Sequence, residues 1–294
     1  MTEWCFICGN SRFVHGGPGY RRCVICGHET LTAGQTQAYL VNDALEAPPA
    51  AGPSRLERFQ GAVMDRFLAG QRRGQLVDIG AGAGRFLAQQ AGRFERACGI
   101  EITPASVEYA RTRLGLTIVG DITEVDGPID VATAWHSLEH FPEPALLALL
   151  AALRAKMPAG GRVIVSVPNA ASFQARLFRG HYAFHDVPGH LHQFTPGSLT
   201  RLFATHRFVR KGAVVSWPYN IFGAVQALLN CAMPGHNYLY YRLKRGHPRV
   251  SLARDLAGLG LLAVAGPVGG GLALLEAAAP VRQAVLTCCF ERRA

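Results

Sequence analysis

Acid is scarce at one end of this 294-residue chain: residues 171–294 hold only Asp186, Asp255, Glu276 and Glu291 against fourteen Lys and Arg. The remainder is balanced, with three acidic and three basic groups in residues 1–45 and thirteen of each in residues 46–170. The net charge of +10 is therefore a local property of the C-terminal part, and a uniformly basic surface is excluded. The N-terminus, "MTEWCFICGN", lacks a basic start followed by an apolar stretch, and it lacks a small-residue cleavage site. No export signal is read there, so the expected location is the cytoplasm. No internal repeat is present.

Cysteine is not scarce. "CFIC" and "CVIC" place Cys5 with Cys8 and Cys23 with Cys26, the two pairs separated by fourteen residues. That is zinc-ribbon spacing: each pair sits on a knuckle whose turn suits Gly9 or Gly27, and four thiolates complete a tetrahedron. No thioredoxin-like pattern surrounds either pair, which disfavours a redox role. Four Cys ligands leave no open position, so the expected zinc is structural. The ribbon's cations, Arg12, Arg21 and Arg22, are balanced by Glu3, Glu29 and Asp43, too few for a phosphate-tracking surface. The other cysteines, Cys98, Cys231, Cys288 and Cys289, lie in apolar surroundings and read as core.

The expected domains are a ribbon over 1–41, a Pro- and Ala-rich linker over 42–54 and a larger domain over 55–294. From Arg55 the pattern predicts helices at 55–69, 84–92, 104–114 and 143–156, with strands at 75–79, 97–102, 117–120, 129–134 and 162–167. Such alternation implies βαβ units and a parallel sheet covered on both faces. A helix at 197–205 and a strand at 208–216 follow, and "RQAVLTCCFERR" reads as one more strand.

"DIGAGAGRF" ends the first strand of this sheet with Asp78, then places Gly80, Gly82 and Gly84 where the backbone must turn tightly and approach a ligand. A dinucleotide fingerprint needs glycine at 85, where Arg stands, and a phosphate-binding loop needs Gly-Lys-Ser or Gly-Lys-Thr, which "GRF" does not supply. The motif resembles that of the class I S-adenosylmethionine-dependent methyltransferases, of the type 11/23 and ubiquinone O-methyltransferase-like kinds. Further motifs follow in order: "GIEIT" with Glu101 and Ile102, "GDIT" with Asp121 and Ile122, "AWHSLEHF" beginning at Ala134, and "PAGGRVIVSVPN". The resemblance implies that Glu101 accepts hydrogen bonds from the ribose hydroxyls, that Asp121 contacts the adenine amino group beside Ile122, and that Trp135 joins the cofactor set. It implies a Rossmann-like, doubly wound α/β fold: a seven-stranded sheet with an antiparallel last strand, preceded by the zinc ribbon and carrying an apolar helical insertion before that strand.

Methyl transfer to a hydroxyl needs an acceptor in line with the sulfonium and a group to take the proton. Base candidates lie after the fourth strand (His136, Glu139, His140) and in "HYAFHDVPGHLHQFTP" (His181, His185, Asp186, His190, His192), with His140 and His190 favoured and His136 behind them. Ubiquinone-type O-methyltransferases hold a divalent metal on a similar Glu-His pair, so Glu139 and His140 could do the same, although His136 replaces another of that family's Glu residues.

The acceptor class expected is a small molecule, a glycan or a lipid-linked compound. Similar ribbons precede methyltransferase domains in bacterial enzymes thought to act on small molecules and cell-surface glycans, and "HLHQFTPGSL" resembles theirs. One family of ribosomal RNA guanine methyltransferases also begins with a zinc-binding segment, which keeps RNA base methylation as the enzyme alternative. A cofactor- or partner-binding protein without catalysis is the second alternative.

The insertion, about 218–280, contains "LAGLGLLAVAGPVGGGLALL", twenty uncharged residues. Pro267 and six glycines predict two helices, at 252–265 and 271–279. A crossing would strand the last β-strand on the wrong side of a bilayer. The flanking Arg242, Lys244, Arg245, Arg249 and Arg254 suit a surface-lying insertion on anionic lipid, with a dimer interface or buried cover helix as the alternative.

Overall fold

A computed structural model of the chain describes residues 3–32, 54–233, 236–237, 239–240 and 252–294. The sequence-predicted linker, save Ser54, and the cationic segment up to Arg249 lie outside the described residues. Three short strands come first: β1 (Phe13–His15), β2 (Tyr20–Cys23) and β3 (Glu29–Leu31). Helix α1 (Arg55–Phe67) starts on a capping box, in which the Ser54 hydroxyl accepts from the Glu57 N–H and the Glu57 carboxylate accepts from the Ser54 N–H. Strands and helices then alternate: β4 (Gln75–Ile79), α2 (Arg85–Gln90), β5 (Arg96–Ile100), α3 (Pro104–Leu114), β6 (Ile118–Val119), β7 (Val131–Trp135), α4 (Glu143–Lys156) and β8 (Arg162–Pro168). After them come α5 (Phe173–Phe178), β9 (His192–Gln193), α6 (Pro196–Thr205), β10 (Phe208–Val214), α7 (Trp217–Ala232), α8 (Leu252–Ala277) and β11 (Val285–Arg292).

The chain forms two compact units. One spans the residues up to Val167 that follow the N-terminal segment, with Gly197–Val214 and Thr287–Ala294. Its sheet has the order β10-β11-β8-β7-β4-β5-β6. Strands β6, β5, β4, β7 and β8 are parallel, whereas β10 and β11 run antiparallel to each other. Every residue of β4 is buried, as a strand covered on both faces requires. Val63, Met64, Leu76, Leu87, Val131 and Ile164 form part of one core cluster there. The chain order reverses at β4, so the connections that follow β4 and β7 run in opposite directions along the sheet, the place where open α/β sheets bind ligands.

The other unit gathers the N-terminal cysteine segment, Pro168–Pro196 and Val215–Leu286. Its sheet, β1-β2-β3-β9, is completed by a strand from far along the chain: Glu29 lies opposite Gln193 and Thr30 opposite His192. Helices α7 and α8 pack together through Val225, Leu229, Leu261, Leu262 and Ala265.

Two expectations are corrected here. The two helices predicted at 252–265 and 271–279 are one helix that runs through Pro267. Proline inside a helix removes a hydrogen bond and costs about 3 kcal/mol, but apolar packing along α7 spans the site. Gly269 supports that packing, because a Cβ there would stand 2.7 Å from Val225 Cγ2. The second correction is Cys231, which is exposed rather than core; Cys98, Cys288 and Cys289 are buried. Val225, Leu229 and Met233 recur every four residues on the packed side of α7, and Cys231 falls between them on the other side.

Candidate functional site: the carboxyl edge of the seven-stranded sheet

Parallel pairing sets Asp78 of β4 opposite Thr133 of β7, and the Thr133 hydroxyl donates to Asp78 Oδ1 at 2.6 Å. Burial pushes the Asp78 carboxyl up to about 7; the Thr133 bond opposes this and the charge of Glu101 adds to it. Immediately after, Gly80, Gly82 and Gly84 all take left-handed backbone angles, at φ of 70°, 53° and 78°. Their surroundings differ. A Cβ on Gly80 would meet Ser137 Cβ at 2.5 Å, and one on Gly84 would meet Leu116 at 2.5 Å, so these glycines exist to let the protein close on itself. A Cβ on Gly82 would meet nothing within 4 Å: this is the glycine that faces open space.

Glu101 follows β5 and folds back on that turn. Its Oε2 accepts from the Gly82 N–H at 2.7 Å, and Oε1 accepts from the N–H groups of Ile102 at 2.9 Å and Thr103 at 2.8 Å. Its two oxygens offer about four lone-pair sites and three are taken, so Oε2 keeps one for a hydroxyl placed above Gly82, and exchange of the Gly82 N–H bond would free a second. Ile102 beside it is 65% exposed. Asp121, after β6, is exposed, and its carboxyl is held below the usual range, chiefly by the Thr123 hydroxyl and N–H. It is an anion ready to accept from an amino group. Ile122 is buried at the start of the following turn. Trp135 packs edge-on to Phe86, with ring centroids 5.3 Å apart, alongside the sheet core. The residues brought to this edge thus include every sequence-predicted cofactor residue.

The turn after β7 is built around Ser137, whose hydroxyl donates to the Ile79 carbonyl at 2.7 Å and whose Cβ supports Gly80. His136 is held at φ 54°, outside the usual region for a side-chain-bearing residue, by its N–H bond to the Ser166 carbonyl. Its Nδ1 lies 3.3 Å from the fully buried Glu139 carboxylate, and its Nε2 lies 3.5 Å from Ser166 Oγ. His140 follows with its N–H on the Ser137 carbonyl. A carboxylate and two imidazoles therefore sit on one short turn, three groups able to bind a cation or hold a proton.

The remaining predicted histidines belong to the other unit. His190 is buried, and its Nδ1 lies 2.9 Å from the Phe184 carbonyl. A carbonyl only accepts, so Nδ1 carries a proton, and Nε2 is the ring's other site for one. The Tyr20 hydroxyl donates to the His190 carbonyl at 2.7 Å, and the His190 N–H donates to the Asp186 carbonyl at 2.7 Å. His185 and His192 do structural work. His185 is buried between the rings of Tyr20 and Tyr182, and burial first, then His236 and His190, lowers its pKa to about 4. His192 and His28 pair at 3.2 Å among Phe6 and Phe194. Ser137, Thr133 and Tyr20 carry no sequence signal as site residues, since serine, threonine and tyrosine occur throughout the chain and only register reveals their role.

In the same unit Cys5, Cys8, Cys23 and Cys26 converge, with all four Sγ atoms within 4.8 Å of one another. Cys5 and Cys26 are 3.6 Å apart and Cys8 and Cys23 are 3.5 Å apart. Four sulfurs around a tetrahedral zinc stand about 3.8 Å apart, so the cluster fits that ion. Gly9 and Gly27, both at φ 70°, close the two knuckles with N–H bonds to Cys5 and Cys23. The Cys26 thiol beside Cys5 lowers the Cys5 pKa to about 5, which favours the thiolate that a metal requires.

A parallel sheet that reverses at β4, with a glycine turn and an acidic residue at successive strand ends, defines a Rossmann-like methyltransferase fold. Residues 54–208 match the family model described as a methyltransferase domain, more than half of the 294 residues, and the chain belongs to the class I S-adenosylmethionine-dependent methyltransferases. Solved structures agree on the fold. The cyclopropane synthase MmaA2 from Mycobacterium tuberculosis superposes with a TM-score of 0.53 at 16% identity, covering 86% of this chain and 95% of that one. Phosphoethanolamine N-methyltransferase 2 from Haemonchus contortus, solved with S-adenosyl-L-methionine, gives 0.51 at 13% identity over 81% of this chain and 53% of that one. The [4+2]-cyclase SpnF gives 0.50 at 14% identity over 85% and 88%. No curated protein matches the chain by sequence.

Proposed function

We propose that the protein is an enzyme that uses S-adenosylmethionine to methylate a hydroxyl on a small-molecule, glycan or lipid-linked acceptor. The observation that carries the reading is Glu101 closing on the glycine turn, with Gly82 facing open space in the turn that follows β4, next to the reversal of chain order between β4 and β7. Glu101 would accept from the two ribose hydroxyls, while Asp121, Ile102 and Ile122 would hold the adenine. Gly80, Gly82 and Gly84 would carry the backbone past the cofactor, with Asp78 and Trp135 beneath. When bound, S-adenosylmethionine supplies an electrophilic methyl group on a sulfonium that departs as a neutral thioether.

The chain's own part is to orient the acceptor oxygen and take its proton as the O–CH3 bond forms and the S–CH3 bond breaks. His190 suits the second task, because its Nδ1–H is committed to a carbonyl and its Nε2 is the basic atom. His140 is the other candidate, and His136 beside Glu139 can orient the same turn. Glu139 and His140 also offer a carboxylate and an imidazole to a divalent cation, which loss of turnover on chelation and its return with added magnesium would support.

The cysteine cluster, in a ribbon assigned to 1–41, would hold structural zinc through Cys5, Cys8, Cys23 and Cys26, and the catalytic domain would be 55–294 with its insertion at about 218–280. The cytoplasm, with peripheral contact to a membrane, is the proposed location; the uncharged sequence around α8 and the cations before it support that contact.

Separate His140→Ala and His190→Ala variants test the chemistry. At least one should lose about 100-fold or more in turnover with cofactor affinity unchanged. Turnover retained by both, or cofactor affinity lost in step with turnover, would refute a base role for either.

A further inference from the structure

Helix α8 has two long faces that differ in their neighbours but not in their chemistry. One packs on α7 through Leu261, Leu262 and Ala265. The other, read at helical spacing through Ala263, Val264, Pro267, Val268, Leu274 and Leu275, is exposed over 263–275. Val264 is 66% exposed, Val268 46%, Leu274 75% and Leu275 65%. A water-facing helix puts Lys and Glu at such positions. Between Gly260 and Ala279 the only charged residue is Glu276, and it points inward, accepting from Gln174 and from the Ala284 N–H. Val281, just beyond the helix, continues the exposed apolar character at 54%.

We propose that this face of α8 docks on an anionic lipid bilayer, with the helix lying in the plane of the headgroup region and Val264, Val268, Leu274 and Leu275 inserted toward the acyl chains. The inference deepens the peripheral-membrane part of the reading above and does not depend on methyl transfer.

Three observations choose this occupant. Charge is the first: the sequence leading into the apolar stretch holds Arg242, Lys244, Arg245, Arg249 and Arg254 against Asp255 alone, so cations adjoin the apolar face in the chain. Anionic headgroups complement that pattern. The second is Pro267, which cannot supply the N–H that the Ala263 carbonyl takes in a regular helix. At headgroup depth water reaches that carbonyl. The third is the opposite face of α8, which is committed to α7, with Glu276 buried against Gln174; an in-plane helix keeps both contacts.

Vesicle flotation tests the proposal with the full chain, using phosphatidylcholine vesicles with and without phosphatidylserine. The expected result is binding to the phosphatidylserine vesicles, weakened by salt and much reduced on phosphatidylcholine alone. Leu274→Glu with Leu275→Glu should lower that binding at least tenfold, on the order expected from losing two large apolar groups. S-adenosylhomocysteine affinity, measured alongside, should not change, because neither residue lies in the cofactor machinery. If the double variant does not fold, Val264→Ser with Leu275→Ser replaces it, with the same loss expected.

Absence of binding by the wild type, or equal binding by wild type and variant, would overturn the proposal. So would a dimer in solution that the variant dissolves, since the face would then belong to a second copy. Failure of vesicle binding would leave methyl transfer to a soluble acceptor intact, and failure of cofactor binding would leave the lipid result standing, so the two readings fail separately.

Discussion

Glu101 is the residue on which cofactor recognition turns, and its replacement gives a graded expectation. The carboxylate already accepts three backbone N–H groups, from Gly82, Ile102 and Thr103, at 2.7–2.9 Å. In the proposed complex it accepts from both ribose hydroxyls, one at the free site on Oε2 and one in exchange for the Gly82 N–H, a net gain of one hydrogen bond. Hydrogen bonds to a charged group contribute about 1.5–3 kcal/mol each, so losing that net bond costs about 1.5–3 kcal/mol, or about 10–10²-fold in affinity. Glu101→Ala should show that loss by isothermal titration with S-adenosylhomocysteine, together with a lower melting temperature, because the glycine turn and the start of α3 lose their acceptor. Glu101→Gln removes the charge and keeps one acceptor oxygen, and should fall between wild type and Ala in both measurements. A Glu101→Ala protein that binds S-adenosylhomocysteine as wild type does would refute the ribose assignment and the placement of the cofactor over Gly82.

The glycine turn separates folding from binding. Gly80→Ala should lower the melting temperature, because its Cβ would collide with Ser137 at 2.5 Å, whereas Gly82→Ala should fold with a penalty of about 1 kcal/mol and lose cofactor affinity. Equal melting of the two variants would contradict this. Zinc extraction should loosen a segment remote in sequence, since Thr195 donates to the Cys26 carbonyl and Leu31 donates to the Leu191 carbonyl. Amide exchange over residues 190–195 should quicken when the metal is removed and recover when zinc is restored; unchanged exchange would show that the ribbon does not hold that loop. Burial raises the Glu276 carboxyl from 4.5 to about 7, so the folded state binds its proton more tightly than the unfolded chain. Its contribution is fully present below pH 4.5 and is lost as pH rises through 7, a change of about 3 kcal/mol. Glu276→Gln should flatten the stability profile across that window, and an identical profile would refute the assignment.

The parallel half of the fold was legible because its signals are local. Strong apolar runs broken by glycine placed β4, β7 and β8 to within two residues. The glycine turn and Glu101 were legible for the same reason, since the needed backbone angles and the acidic residue sit next to strand ends. What escaped depended on distant pairing. Strand β9 is two residues long and shows no alternation, so its union with β3 had no trace in sequence. His185 and His192 stood among the base candidates, and their packing against Tyr20, Tyr182 and His28 had no trace in sequence. Pro267 signalled a break that the apolar contact with α7 overrides.

The most direct measurement is the fate of the methyl group. Purified protein incubated with methyl-labelled S-adenosylmethionine and a lysate should deliver label to the organic-extractable or glycan fraction, and Glu101→Ala should abolish it. Label recovered in RNA would contradict the acceptor class and recast the cationic C-terminal part as an RNA grip, and no transfer to any fraction would contradict the enzyme itself.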